Sequence, residues 1–154
     1  MEKTCCSRRE FCKKTAGLFI TAGVAQYSAL SCSNKNPASP ESITVTVDTT
    51  LTANLPLQNV GGSVYVDNPK DSGNPIIVYR KSASQITAFS SKCTHQGYRV
   101  GLVQSNMSLC QNPAPGHGSV YNDQGQVISG PATQDLPAYP ATFNGTTITI
   151  TVTA

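Results

Sequence analysis

The feature that most constrains this chain is a small set of cysteines and histidines in its second half. Cys93 is followed two residues later by His95, and Cys110 is followed seven residues later by His117. The chain has no other histidine, and after residue 32 it has no other cysteine. Cysteine and histidine together are ligands of zinc, copper and iron–sulfur centres. The pattern therefore predicts one metal centre, built from two loops that the fold must bring together.

The segments around these residues have the pattern of short β-strands. Residues 43–47 alternate between β-branched apolar and polar side chains, and residues 146–152 do so again near the end of the chain. Shorter β-branched or aromatic runs occupy residues 63–66, 75–79 and 86–89, separated by turn sequences. No segment after residue 42 has the apolar stripe of a ten-residue helix. We predict an all-β fold, a small antiparallel sandwich or barrel with the two ligand loops at one end.

The net charge of +3 comes entirely from the first 31 residues. These carry five basic and two acidic residues, whereas the remainder of the chain carries six of each. A nucleic-acid-binding domain requires a basic face, and the β domain has no excess of positive charge. The charge distribution therefore predicts no nucleic-acid partner.

The first 31 residues resemble an export signal. Residues 7–13, Ser-Arg-Arg-Glu-Phe-Cys-Lys, match the twin-arginine consensus at every defined position. The moderately apolar residues 15–30 are too few and too weakly apolar for a membrane-spanning helix, but they suit a signal peptide. The run ends at Ala29-Leu30-Ser31-Cys32, which resembles a lipoprotein cleavage site and predicts lipidation of Cys32. An amphipathic N-terminal helix of the domain is the alternative.

These patterns divide the chain into three parts. We predict a signal peptide at residues 1–31, a flexible tether at 32–42 and a β domain at 43–154. The tether is polar, contains prolines and lacks apolar periodicity, which is typical of a linker. The twin-arginine route carries folded proteins, so this kind of leader suits a domain that receives its cofactor before export. The predicted location is the periplasm or the outer face of a membrane, with a lipid anchor.

The two loops resemble those of the Rieske iron–sulfur family. The family pattern is Cys-x-His-x-Gly in the first loop and Cys-x-x-His-Gly-Ser in the second, and Cys93, His95 and His117 match it. The resemblance extends over about residues 76–143 and includes the Gly-Pro-Ala sequence at 130–132, which in the family covers the cluster. The resemblance implies a Rieske [2Fe-2S] cluster. One iron would be bound by Cys93 and Cys110, and the other by His95 and His117.

Two further positions bear on the cluster environment. In quinol-oxidising members, the serine after His-Gly and the tyrosine two residues later donate hydrogen bonds to a cluster sulfide and a cysteine sulfur. These positions are Ser119 and Tyr121 in this chain. Such donors stabilise the electron that is added on reduction. They therefore favour a reduction potential in the upper part of the Rieske range, which is about −150 to +300 mV. Ordinary strand residues at both positions are the alternative.

The chain departs from the family pattern in two ways. The disulfide between the loops of high-potential members has no counterpart, because its two positions are Tyr98 and Gly116. The family places the second cysteine at the position of Ala114, whereas Cys110 lies four residues earlier. A four-residue insertion that loops out would keep Cys110 as a ligand. A zinc site with the same four ligands and a decayed site are the alternatives.

The function that follows is that of a membrane-tethered one-electron carrier. The predicted redox partner is a quinol-oxidising cytochrome complex, a molybdenum oxidase or a periplasmic cytochrome. The sequence offers no separate nucleophile with a general base, so catalysis by this chain alone is not predicted. The alternative is a surface-anchored β domain in which a decayed or zinc-substituted site has a structural or binding role.

Overall fold

The computed structural model describes residues 41–111 and 118–153 of the chain. Within these ranges the structure is almost entirely β, with one short 3-10 helix at Thr52–Gln58. The strands are β1 (Ile43–Asp48), β2 (Ser63–Val66), β3 (Ile76–Arg80), β4 (Ile86–Ser90), β5 (Met107–Leu109), β6 (Val120–Asn122), β7 (Val127–Ser129), β8 (Ala141–Phe143) and β9 (Thr147–Val152). The predicted signal peptide and most of the predicted tether lie outside the described residues. No helix within the described part could cross a lipid bilayer.

The strands form three antiparallel sheets of three strands each, with the orders β1-β9-β8, β2-β3-β4 and β5-β6-β7. Strands β1 and β9 pair over their full lengths, so that Ile43 lies opposite Val152 and Asp48 lies opposite Thr147. This pairing brings the beginning and the end of the domain together. The prediction of an all-β antiparallel fold is confirmed.

The β2-β3-β4 sheet separates two hydrophobic cores. Ile76 and Val78 of β3 face one core, which we call the base core and which also receives the inward residues of β9. The alternate residues Ile77 and Tyr79 face the other, which we call the site core. Successive residues of a strand point to opposite faces of the sheet. All four side chains are buried because each face of β3 is covered by one of the two cores. The site core contains both cysteines of the domain and Tyr121.

The five strands predicted from the sequence are all present, and their ends differ from the prediction by at most one residue. The sequence pattern missed β5, β6, β7 and β8, each of which has three residues. Alternation over three residues cannot be distinguished from a loop, and long-range pairing defines these strands instead. It also missed the 3-10 helix, whose Leu57 is fully buried in the base core.

Candidate metal centre

The first ligand loop runs from Cys93 to Tyr98 and turns back tightly after β4. The N–H of Cys93 donates to the carbonyl oxygen of Tyr98, and the N–H of Gly97 donates to that of Cys93, both at 2.8 Å. A β-bridge between Lys92 and Arg99 closes the base of the loop. Gly97 has φ = +76°, a conformation that side chains disfavour. The loop therefore holds Cys93 in a fixed backbone environment.

The fold brings the two cysteines together inside the site core. Cys93 is 2% exposed and Cys110 is 8% exposed, and neither forms a disulfide. Cys110 follows β5, where its N–H donates to the carbonyl oxygen of Ser119 at 2.9 Å and a β-bridge joins it to Val100. Both side chains belong to the same buried cluster, and Cys110 is one of the groups whose hydrogen bonds lower the pKa of the Cys93 thiol. Cys93 and Cys110 therefore share one buried cluster, and the role of Cys110 as a ligand stays a prediction.

The Cys93 sulfur lies among hydrogen-bond donors. Burial acts to raise the pKa of this thiol, but hydrogen bonds from the Tyr121 hydroxyl, from the backbone at His95 and Gln96, and from Cys110 outweigh it. The pKa of Cys93 consequently lies below its ordinary value. Metals bind the thiolate rather than the thiol, so this environment favours the form of cysteine that acts as a ligand.

Tyr121 lies on β6 with its side chain fully buried. Its hydroxyl oxygen lies 3.3 Å from the Cys93 sulfur, 3.1 Å from Thr94 Oγ1 and 3.4 Å from the backbone nitrogen of Thr94. Burial and the hydrogen bond with Cys93 raise the pKa of the Tyr121 phenol, so it keeps its proton at neutral pH. The Tyr121 hydroxyl therefore lies at the Cys93 sulfur, and its role as a donor to a cluster ligand stays a prediction.

A loop after β7, residues 130–134, packs against the first ligand loop and against Ser119, which ends the second ligand loop (residues 110–119), and we call it the proline loop. The N–H of Ala132 donates to Oγ of Ser119 at 3.1 Å, and the Thr94 hydroxyl donates to the carbonyl oxygen of Gln134 at 2.6 Å. Gly130 has φ = +100°, and a methyl group there would lie 2.5 Å from Cα of Ser119. The proline loop thus fastens the two ligand loops to each other. Thr94 and Gln134 were not identified from the sequence, because no motif marks a contact between loops.

The histidines differ in what the structure shows of them. His95 is exposed at the surface of the first ligand loop. His117 and the predicted lipidation site Cys32 lie outside the described residues, as do Ala114 and Gly116. Tyr98, at one position of the missing disulfide, is 44% exposed. Within the described residues, the site therefore has two buried cysteines and an exposed His95.

Comparison with known proteins matches the domain that carries this site to one protein family. Residues 58–140, more than half of the chain, match the family model of the Rieske [2Fe-2S] domain. The cytochrome b6-f complex iron-sulfur subunit of Chlorobaculum thiosulfatiphilum is 38% identical over 76 residues, which are 49% of this chain and 39% of that protein. The subunit of the same name from Desmonostoc sp. (strain PCC 7906) is 32% identical over 89 residues, 58% of this chain and 48% of that protein. The chain thus spans less than half the length of these two relatives.

A solved structure agrees with the fold. The crystal structure of the cyanobacterial plasma membrane Rieske protein PetC3 from Synechocystis PCC 6803 superposes with a TM-score of 0.53 at 30% sequence identity. The alignment covers 69% of this chain and 97% of that one.

The described donor set fits a two-iron cluster. Cys93 and Cys110 supply two adjacent buried thiols, while His95 lies at the surface. Among residues 41–111 and 118–153, no three cysteine, histidine or acidic side chains lie close enough together to hold a single metal ion. Two buried cysteines and an imidazole from the same loop as Cys93 are ligand types of a Rieske cluster, in which cysteines bind one iron and histidines the other.

Proposed function

Since the chain belongs to the Rieske [2Fe-2S] domain family, we propose that it is an exported, membrane-tethered electron carrier. It would pass single electrons between a quinol-oxidising or oxidase complex and a periplasmic acceptor. The observation that supports this most strongly is the buried Cys93–Cys110 pair with the Tyr121 hydroxyl at the Cys93 sulfur. Two relatives are named as subunits of a cytochrome b6-f complex, which supports a membrane redox complex as the partner.

The buried and the exposed ligands would have different roles. Cys93 and Cys110 would hold the inner iron, and His95 and His117 would hold the outer iron. When bound, the cluster supplies one-electron oxidation and reduction. The exposed position of His95 supports an electron path through the histidine side, because a partner can approach it directly. The proline loop would keep water away from the cysteines, since its Ala132 belongs to the buried cluster that contains both of them.

The membrane tether is proposed from the sequence signals and is compatible with where the domain begins. Lys70 Nζ donates to the carbonyl oxygen of Glu41. The neighbouring Asp71 forms an ion pair with Lys92 at 3.9 Å, and Lys92 precedes Cys93. The first described residue is thus linked through two side-chain contacts to the first ligand loop. Glu41 lies nine residues after Cys32, so an extended tether would span about 30 Å. An anchor at Cys32 would therefore keep the cluster near the membrane surface.

The experiment that tests this function is to produce the full chain anaerobically and to measure its iron, zinc, absorption and EPR spectra after reduction with dithionite. We expect about two irons per chain and a rhombic signal with an average g value below that of the free electron. A colourless chain without iron would contradict the carrier function. A stoichiometric zinc content would instead support the structural or binding role.

The lipid anchor has a test of its own. Globomycin, which blocks lipoprotein processing, should leave an unprocessed precursor if Cys32 is lipidated.

Replacing Tyr121 with phenylalanine is expected to lower the midpoint potential by about 60 mV. A hydrogen bond to a charged acceptor contributes about 1.5 kcal/mol, and about 1.4 kcal/mol corresponds to about 59 mV for one electron. The potential is measured by redox titration followed by EPR. Tyr79→Phe is the matched control, because Tyr79 lies in the same core and its hydroxyl bonds to Asn106 Oδ1 at 2.7 Å. Equal shifts in the two variants would show that Tyr121 has no specific effect on the sulfur.

A further inference from the structure

The hydroxyl group of Tyr121 has more acceptors near it than it has protons. Its oxygen lies 3.3 Å from the Cys93 sulfur and 3.1 Å from Thr94 Oγ1. The backbone N–H of Thr94, 3.4 Å away, can only donate to this oxygen. The single phenolic proton must therefore be directed to Cys93 or to Thr94, or be shared between them.

The neighbouring contact fixes the role of Thr94. Its hydroxyl lies 2.6 Å from the carbonyl oxygen of Gln134, and a carbonyl oxygen accepts hydrogen bonds but cannot donate them. The one hydroxyl proton of Thr94 is thus committed to Gln134. Toward Tyr121, Thr94 Oγ1 can then act only as an acceptor. The direction of the chain is from Tyr121 to Thr94 and from Thr94 to Gln134.

We infer that Thr94 is a positioning residue that competes with Cys93 for the Tyr121 proton and so lowers the potential of the cluster. This inference rests on the proposed function. A hydrogen bond to a ligand sulfur stabilises the electron added on reduction. The part of the Tyr121 proton that is directed to Thr94 is withdrawn from that sulfur. The bond to Gln134 strengthens the competition, because donating a proton makes a hydroxyl oxygen a better acceptor.

The test is the midpoint potential of the full, cluster-loaded chain with Thr94→Val, a change that removes the hydroxyl and keeps the shape. We expect a shift to a more positive potential, because the Tyr121 proton then goes to Cys93 alone. Thr94→Ser retains the hydroxyl and should keep the wild-type potential. Should Thr94→Val fail to load, Thr94→Ala removes the same hydroxyl and must give the same positive shift.

A double variant separates this role from a merely structural one. If Thr94 acts through Tyr121, Thr94→Val must have no effect on the potential once Tyr121→Phe is present. The loss of the Gln134 bond, in contrast, should lower the unfolding midpoint of the cluster-free chain in urea by the same amount in both backgrounds. A negative or zero shift in Thr94→Val, or a shift that persists with Tyr121→Phe, overturns the inference and leaves the carrier function standing. A wild-type chain that takes up no cluster overturns both.

Discussion

Replacing Cys110 with serine is expected to reduce the iron content of the chain from about two per molecule to nearly none. Serine has almost the same shape, so the site core should stay folded, but its hydroxyl is a poor ligand for iron compared with a thiolate. The structure makes this the decisive ligand test, because Cys110 lies beside Cys93 although its spacing from His117 departs from the family pattern. Iron analysis, EPR and the urea unfolding curve of the same sample measure cluster content and folding separately.

Cys12→Ser is the matched control for this prediction, because Cys12 lies in the predicted signal peptide and is predicted to have no role in the site. It should leave the iron content unchanged. A Cys110→Ser variant with a complete cluster would show that the fourth ligand is another residue, and the proposed looped-out insertion between Cys110 and His117 would then be wrong.

The second large effect is expected at Gly130, where alanine should destabilise the domain by roughly 3–5 kcal/mol and make the cluster labile. The added methyl would lie 2.5 Å from Cα of Ser119 and 2.9 Å from both the nitrogen of Ser119 and the carbonyl oxygen of Gly118. These are backbone atoms, so the contact can be relieved only by separating the proline loop from the second ligand loop. Urea unfolding and the rate at which the EPR signal decays in air measure the two consequences.

Gly145 offers a control with a similar positive φ and no clash. Its φ is +107°, close to the +100° of Gly130, but a methyl group there has nothing within 4 Å. Gly145→Ala should therefore cost only the strain of a positive φ, about 1–2 kcal/mol, and should leave the cluster as stable as in the wild type. If the two variants are equally destabilised, the close approach of Gly130 to Ser119 does not hold the site together.

The fold class and the long strands could be predicted because their signal is local. Strand β9 alternates over six residues, and the structure buries Ile148, Ile150 and Val152 while the residues between them remain partly exposed. Burial of each such side chain contributes about 1.5–3 kcal/mol, so alternation over this length specifies which face is inward. The strands β5 to β8 carry no such signal, since three residues show at most one change of face.

The site was predictable as far as its chemistry depends on residue type. Cys93 and His95 are marked by their spacing, and the resemblance identified Tyr121 as a donor to a cysteine sulfur. The bond from Thr94 to Gln134 joins positions forty residues apart, and threonine and glutamine are common in ordinary loops. The sequence gives no sign of the close approach of Gly130 to Ser119 either, because a glycine does not indicate which neighbouring residue occupies the space beside it. Only the packing of the loops reveals these contacts.

The two faces of β3 bear on the stability of the cluster-free protein. Because Ile76 and Val78 pack on one side and Ile77 and Tyr79 on the other, each half of the domain has its own buried interior. Paired strands β1 and β9 belong to the half without cysteines, so its backbone should resist hydrogen–deuterium exchange even in the newly made chain. Amides of the half that holds Cys93 should exchange faster at that stage and slow down once the metal centre is assembled. We expect the half that holds Cys93 to open for cofactor uptake while the half that holds β1 and β9 stays folded.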